Sequence, residues 1–155
     1  MYKRQIKRGV DKILWVTPSG FVVSQRYMKK EVIEIKMKLL GRCEIRVATD
    51  DTNEVDLLGH KNGTAPNLIH SLDANTLHFT VDKFDKPIAL IHDSVLCRAT
   101  DMTELSTKVR EVYMHLFAEH DYLNDFAKAI EAESKPPIIG DLVPSDVINS
   151  TYFFC

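Results

Sequence analysis

His92, Asp93 and Ser94 are the residues whose types and spacing most clearly suggest chemistry, because they separate two apolar runs within residues 87–99. The runs predict two buried strands joined by a tight hairpin. An ionised carboxylate beside a core is costly unless it is paired or holds a metal ion. The pattern therefore makes Asp93 a candidate ligand for a divalent cation. The alternative is an ordinary solvated turn, since turns favour Asp and Ser for local hydrogen-bonding reasons.

His70 is a second candidate, and it lies on a helix predicted over 65–84. Pro66 suits the first turn of that helix, where its missing N–H is no loss, and apolar residues then recur at helical spacing. The polar stretch 49–64 before it predicts a loop. Two interpretations of His70 stay open: a hydrogen-bonded core histidine, as buried polar groups usually find partners, or a residue that contacts a ligand.

Residues 31–48 alternate apolar and charged side chains on both sides of Gly41. Period-two alternation predicts a two-stranded hairpin with one apolar and one charged face. Lys36, Glu44 and Arg46 fall on the charged face, which carries both signs. The face is either a solvated sheet surface or a β-ribbon that enters the major groove of DNA.

The remaining segments must position these candidates. Residues 1–30 predict N-terminal strands joined by a turn that contains Pro and Gly. Helices are predicted over 101–133, where Asp101 and Glu104 match a capping box. Residues 140–155 hold a short helix and an aromatic terminus, which we expect to dock against the fold. The sum of these elements is an α+β architecture.

Composition limits the function classes. A chain of 155 residues with 45% hydrophobic and 27% charged residues is typical of one soluble globular domain. The formal net charge of -2 excludes a global attraction to nucleic acid, so any polyanion site must be a local patch. Cys43, Cys97 and Cys155 are widely spaced, which fits a reducing compartment and argues against structural zinc. No membrane partner is expected, because the sequence has neither a membrane-length apolar run nor a signal peptide.

The order and approximate spacing of several motifs carry a resemblance to a known family. The motifs are Trp15-Val16-Thr17-Pro18-Ser19-Gly20-Phe21, Ala65-Pro66-Asn67-Leu68-Ile69-His70-Ser71-Leu72-Asp73-Ala74, His92-Asp93-Ser94, Arg110-Glu111 and Gly140-Asp141-Leu142 before an aromatic end. Together they resemble the C-terminal part of the single-subunit, DNA-directed RNA polymerases of bacteriophages and mitochondria. The resemblance covers nearly the whole chain.

The resemblance implies a fold and a set of site residues. The family fold is a right hand, and this chain would supply late fingers and palm, with a catalytic hairpin packed on helices and a second, projecting hairpin. Asp93 looks like the second of two aspartates that hold catalytic Mg²⁺, and His92 looks like its neighbour near the growing RNA end. His70 looks like the histidine that contacts the new base pair. The 31–48 hairpin looks like the promoter-reading specificity loop, and the tail looks like the foot beside the active site.

Departures from the family pattern shape the expected activity. Val95-Leu96-Cys97 stands where the family usually has Phe-Gly-Thr or similar, which alters packing behind Asp93. The motifs for the first metal-binding aspartate, the triphosphate-gripping helix and the ribose-selecting tyrosine lie upstream of anything matched here. We therefore expect the chain to be a fragment, a split subunit or the tail of an interrupted gene. Alone it should bind Mg²⁺ poorly and should not polymerise, since the two-metal mechanism needs further carboxylates.

The resemblance also implies partners and a location. The expected partners are a DNA template and promoter, nascent RNA, nucleoside triphosphates and the missing N-terminal polymerase portion. The expected location is the cytoplasm of a bacterial host, with the mitochondrial matrix as the alternative. Two other functions stay open: a palm fragment of a family A DNA polymerase, in which Glu commonly follows His-Asp where this chain has Ser94, or a non-catalytic, nucleic-acid-binding remnant.

Overall fold

The computed structural model describes residues 11–37, 43–138 and 140–153. Their architecture is α+β, with three separate two-stranded antiparallel sheets and helices between and after them. The strands are β1 Ile13–Val16, β2 Val22–Gln25, β3 Met28–Met37, β4 Cys43–Val55, β5 Ile88–Ile91 and β6 Ser94–Cys97. The helices are α1 Leu57–Lys83, α2 Met102–Glu119, α3 Tyr122–Ala129 and α4 Asp146–Asn149, with a 3-10 turn at Ala99–Asp101.

The β1–β2 hairpin and its turn match the sequence prediction. Thr17 and Gly20 close the turn with a backbone hydrogen bond of 2.8 Å from the Gly20 N–H. Gly20 has a φ of 82°, a conformation that glycine adopts without the steric cost of a Cβ. The residues that favour this turn are neighbours in the sequence, so the turn can be predicted without knowledge of tertiary contacts.

Trp15 lies at the centre of the core that joins β1 to the helices. Its indole N–H donates to Ser71 Oγ on α1 at 3.1 Å, and its ring meets Phe126 of α3 edge to face at 5.3 Å. Buried aromatic side chains of this kind dominate core energetics and need a partner for their polar tip. The buried cluster around Trp15 contains Ile13, Leu68 and Ile130.

Asn75 of α1 ties three elements together from a fully buried position. Its Oδ1 accepts the Ser19 N–H of the β1–β2 turn at 2.8 Å, and its Nδ2 donates to Tyr122 Oη of α3 at 2.7 Å. A buried amide is tolerated when such partners satisfy it. Burial raises the pKa of Tyr122 to about 12.

The long helix α1 begins at Leu57, so the loop predicted over 49–64 and the helix start predicted at 65 are wrong. Asp56 caps α1, since its Oδ1 accepts the backbone N–H groups of Leu58 and Gly59 at 3.1 and 2.9 Å. Pro66 therefore lies inside the helix, on its exposed side. The helix continues through this residue because burial of the opposite side, including His60 and Leu68, offsets the lost backbone hydrogen bond.

The β3–β4 hairpin is also longer than the predicted 31–48, because β4 continues to Val55. The end of the ribbon next to α1 is irregular, with register shifts between Met28 and Val32. Thr52 Oγ1 donates to the Lys29 carbonyl at 2.9 Å, and the Lys29 and Glu54 side chains form an ion pair at 2.7 Å. Thr52 and Glu54, which belong to the stretch predicted as a loop, thus stabilise the bulged end of the ribbon.

The capping box predicted at the start of α2 is wrong. Asp101 precedes the helix, but its side chain makes no capping hydrogen bond. Its buried carboxylate instead accepts from Lys86 Nζ at 3.0 Å, and Glu104 accepts from the same ammonium at 2.6 Å. Buried acidic groups take a charged partner when one is in reach, because an unpaired buried charge is costly.

The C-terminal segment docks against α2 through Phe153, but Tyr152 is 95% exposed, so the expected docking of the aromatic terminus is confirmed only in part. Arg110 of α2 donates to the Val147 and Ser150 carbonyls at 2.7 and 2.6 Å, which holds the end of α4. The Phe153 ring lies 5.0 Å from the Tyr113 ring and 5.3 Å from the Arg110 guanidinium. The last two residues, including Cys155, lie outside the described residues. Among the helices described here, none has the length and apolar character needed to cross a bilayer.

Candidate active site and nucleic-acid interface

Asp93 lies at the tip of the β5–β6 hairpin. Ile91 pairs with Ser94 across the hairpin, so the turn consists of His92 and Asp93 alone, and Ser94 belongs to the second strand. His92 has a φ of 55°, which two-residue hairpin turns commonly require. The backbone thus points two adjacent polar side chains away from the paired strands.

The expectation that Asp93 sits beside a buried core is wrong. The Asp93 side chain is 67% exposed and the His92 side chain is 79% exposed. Their Oδ1 and Nδ1 atoms lie 2.7 Å apart. Leu90 and Ile91, which point to opposite faces of the hairpin, are exposed as well, so the strands are not the predicted buried pair. A charge in contact with water needs no compensating cation, so desolvation does not argue for a metal here.

The Asp93 carboxylate still has the chemistry of one ligand of a magnesium ion. Mg²⁺ prefers oxygen ligands and is usually held by one or two carboxylates together with substrate phosphates. Among the residues that the structure describes, no group of three or more His, Cys, Asp or Glu side chains comes together to hold a metal ion. Asp93 is therefore a single exposed carboxylate that would contribute one ligand beside others.

His70 lies on the exposed side of α1, so the interpretation as a core histidine is wrong. Ile69 and Asp73 share this exposed surface. Leu57 and Leu58, at the start of the helix, are 52% and 65% exposed. The first half of α1 thus presents a mixed apolar and polar surface to its surroundings.

The β3–β4 ribbon carries the predicted charged face. Glu34 pairs with Arg46 and Lys36 pairs with Glu44 in register. Because side chains alternate along a strand, Glu34, Lys36 and Arg46 lie on one face. Arg46 Nε donates to Glu34 Oε1 at 3.0 Å. Residues 38–42, which include Lys38, Gly41 and Arg42, lie outside the described residues.

The opposite face of the ribbon is an exposed apolar ladder. Ile33 pairs with Val47 and Ile35 pairs with Ile45. All four side chains are between 40% and 53% exposed. A two-stranded ribbon that packs against nothing is only marginally stable. The position of this ribbon relative to the rest of the chain therefore depends on contacts at its root, the end at Met28 and Val55.

His60 is the residue that sequence reasoning missed. The sequence predicts a loop at this position, yet His60 is fully buried on α1. The Tyr27 N–H donates to its Nε2 at 3.2 Å, and the Gln25 side-chain amide lies 3.1 Å from its Nδ1. Burial lowers the pKa of His60, which favours the neutral ring that can accept the Tyr27 N–H. The signal available in the sequence was the helical spacing of His60, Thr64 and Asn67, which the predicted loop obscured.

Comparison with known proteins places this arrangement in a family. The family model for DNA-dependent RNA polymerase matches residues 2–151. The chain belongs to the DNA-dependent RNA polymerase family. The resemblance read from the motifs is thereby confirmed, and it takes precedence over the DNA polymerase alternative.

Individual relatives agree with this assignment. The DNA-directed RNA polymerase of Pseudomonas phage phiKMV is 32% identical over 91% of this chain, which corresponds to 18% of that polymerase. T7 RNA polymerase of Escherichia phage T7 is 31% identical over 97% of the chain and 19% of that protein. The mitochondrial DNA-directed RNA polymerase 1 of Arabidopsis thaliana is 30% identical over 92% of the chain and 15% of its own length. The chain thus spans less than a fifth of each of these relatives.

Proposed function

We propose that this chain forms the C-terminal catalytic portion of a single-subunit, phage-type DNA-dependent RNA polymerase. The complete enzyme would transfer nucleotides from nucleoside triphosphates to growing RNA under the direction of a DNA template. The observation that carries the proposal is the exposed Asp93 carboxylate on a two-residue hairpin tip within a segment that matches the family.

In this proposal Asp93 supplies one carboxylate ligand of the catalytic Mg²⁺. When bound, a pair of Mg²⁺ ions would activate the attacking RNA hydroxyl and stabilise the leaving pyrophosphate. The tight turn restricts where the Asp93 side chain can reach, and the His92 ring beside its Oδ1 would orient that carboxylate near the growing RNA end. His70, which α1 presents on its exposed side, would contact the nascent base pair.

The remaining polymerase portion is the proposed protein partner. Several apolar side chains on the catalytic hairpin and on α1 are largely exposed in this chain, including Ile91 at 63%, Leu96 at 52% and Ile69 at 61%. Ile91 and Leu96 share one face of the hairpin, because Ile91 pairs with Ser94 and Ala89 pairs with Leu96. An exposed apolar patch of this kind marks an interaction site. We infer that these surfaces pack against the portion that supplies the other metal ligand and the nucleotide-binding helix, and that the chain alone is inactive.

The β3–β4 ribbon is the proposed promoter reader. Arg and Lys can pair with guanine edges in the major groove, and Glu can accept from cytosine. A ribbon whose sequence offers Lys36, Glu44 and Arg46 suits base reading better than phosphate gripping, which would favour uniform positive charge. The proposed location is the cytoplasm of a bacterial host, with the mitochondrial matrix as the second choice.

Asp93→Asn tests the metal assignment in a polymerase assembled from this chain and an N-terminal polymerase portion. We expect RNA synthesis to be abolished while the fold, followed by circular dichroism, is unchanged, because an amide cannot replace the carboxylate that Mg²⁺ requires. The matched control is Asp82→Asn, another exposed aspartate, on α1. Near-normal RNA synthesis by Asp93→Asn would overturn the assignment.

Reconstitution itself separates the proposal from the non-catalytic alternative. The unmodified chain should restore template-directed synthesis to an N-terminal portion that lacks this segment. A folded chain that binds this portion and DNA but restores no synthesis would favour a nucleic-acid-binding remnant.

A further inference from the structure

The root of the β3–β4 ribbon is tied directly to the start of α1. Tyr27 and Asp56 flank the two strands, and the Asp56 N–H donates to the Tyr27 carbonyl at 3.0 Å. Asp56 is also the N-terminal cap of α1, and its carbonyl accepts the His60 N–H at 3.0 Å. Strand and helix therefore meet without a linker, so the direction of the ribbon depends on how Tyr27 sits against the helix.

Tyr27 is held on α1 at its backbone, ring and hydroxyl. Its N–H donates to the buried His60 Nε2 at 3.2 Å, and its ring lies 5.3 Å from the imidazole. Its Oη accepts from Asn67 Nδ2 at 3.0 Å. His60 and Asn67 are two helical turns apart, so they lie on one side of α1. Together these contacts fix both the position and the rotation of the Tyr27 side chain.

Gly63 makes this arrangement sterically feasible. A Cβ at position 63 would lie 2.7 Å from Tyr27 Cε2 and 2.9 Å from its Oη, much closer than carbon contacts allow. Glycine is otherwise unfavourable inside a helix. The close approach of the ring explains why a side chain is missing at this position.

A second set of hydrogen bonds supports the same residues. The buried Gln25 side chain lies between the sheet and the helix, and its Oε1 accepts from Asn67 Nδ2 at 2.9 Å. Its Nε2 donates to Thr64 Oγ1 at 3.1 Å, and Thr64 in turn donates to the His60 carbonyl at 2.6 Å. Networks in which each polar group has a partner rigidify a region.

We propose that Tyr27, His60 and Gly63 form a root joint that sets the direction of the ribbon and so positions its charged face for promoter selection. The effect on promoter selection rests on the proposed function of the ribbon, whereas the mechanical role does not. The joint also links the ribbon to the helix that carries His70, which follows His60 by ten residues, or about 15 Å along α1. The three residues are positioning residues, since none is expected to touch DNA.

Gly63→Ala is the variant that tests the joint. The Cβ must gain about 0.7 Å from Tyr27 Cε2 to reach an ordinary contact of 3.4 Å. Because Tyr27 is held at its backbone N–H and its hydroxyl as well as at its ring, we expect the displaced ring to pull the start of β3 with it and to change the direction of the ribbon. Alanine favours helix over glycine, so the helix itself is not expected to unfold.

The first readout is a distance. The native cysteines of the assembled polymerase are replaced by serine, and spin labels are attached to cysteines introduced at position 45 on the ribbon and position 82 on α1. Pulsed electron–electron double resonance then measures the distance between the two labels. Gly63→Ala should shift the main distance, and Tyr27→Ala, which removes the ring without adding a clash, should broaden the distribution. The matched control is Asn62→Ala on the exposed side of the same turn, which should change neither.

The second readout is promoter choice. The ratio of promoter-dependent to promoter-independent RNA synthesis should fall roughly five- to 150-fold in Gly63→Ala, the effect of losing one base contact of the charged face. An unchanged distance distribution in Gly63→Ala and Tyr27→Ala would overturn the mechanical role of the root joint, whether or not the ribbon reads promoter bases. A shifted distance with unchanged promoter choice would uphold the mechanical role and overturn the promoter-reading function.

Discussion

Arg46→Ala separates base reading from ribbon stability. Arg46 pairs with Glu34 at 3.0 Å, and the two side chains are 73% and 45% exposed. Exposed pairs of this kind contribute about 0–1 kcal/mol, so their loss should leave the fold almost unchanged. A guanidinium that reads a base edge contributes about 1–3 kcal/mol of discrimination at one position. The effect on promoter preference should therefore exceed the effect on stability.

The assay compares initiation on promoters that differ at single positions with elongation on a primed template. We expect the variant to lose about five- to 150-fold preference at one promoter position, the equivalent of 1–3 kcal/mol, with elongation nearly unchanged. Lys29→Ala is the matched control, because it breaks the exposed Lys29–Glu54 ion pair of 2.7 Å at the root of the same ribbon. Equal loss of both activities in Arg46→Ala, or no shift in either, would refute the base-reading assignment.

Two further predictions concern buried polar groups. Asn75→Ala removes the partners of the Ser19 N–H and Tyr122 Oη, so the free energy of unfolding, measured by urea titration, should fall by about 2–4 kcal/mol; a loss below about 0.5 kcal/mol would contradict the network. Burial lowers the pKa of His60, so the unfolded chain binds a proton first as pH falls. Stability should be complete above about pH 6.5 and decline as pH falls through the native pKa of His60, and His60→Gln should flatten this decline; an unchanged slope in that variant would contradict the assignment.

Features that depend on neighbouring residues could be read from the sequence. The turn that ends at Gly20, the tip of the hairpin at Asp93 and the alternation around Glu34 and Arg46 all follow from local backbone preferences and period-two patterning. The spacing of the motifs was enough to indicate the polymerase family. These features are local, so no knowledge of distant contacts was needed.

Tertiary structure decided which polar residues are buried. His60 belongs to the core although its sequence neighbours suggest a loop, because Gln25 and Tyr27 approach from another part of the chain. Asp101 pairs with Lys86 instead of capping α2, because the Lys86 ammonium lies 3.0 Å from its carboxylate. Asp93 is exposed although apolar runs flank it. Burial and pairing depend on segments that are distant in the sequence, and local patterns carry no information about which segments meet.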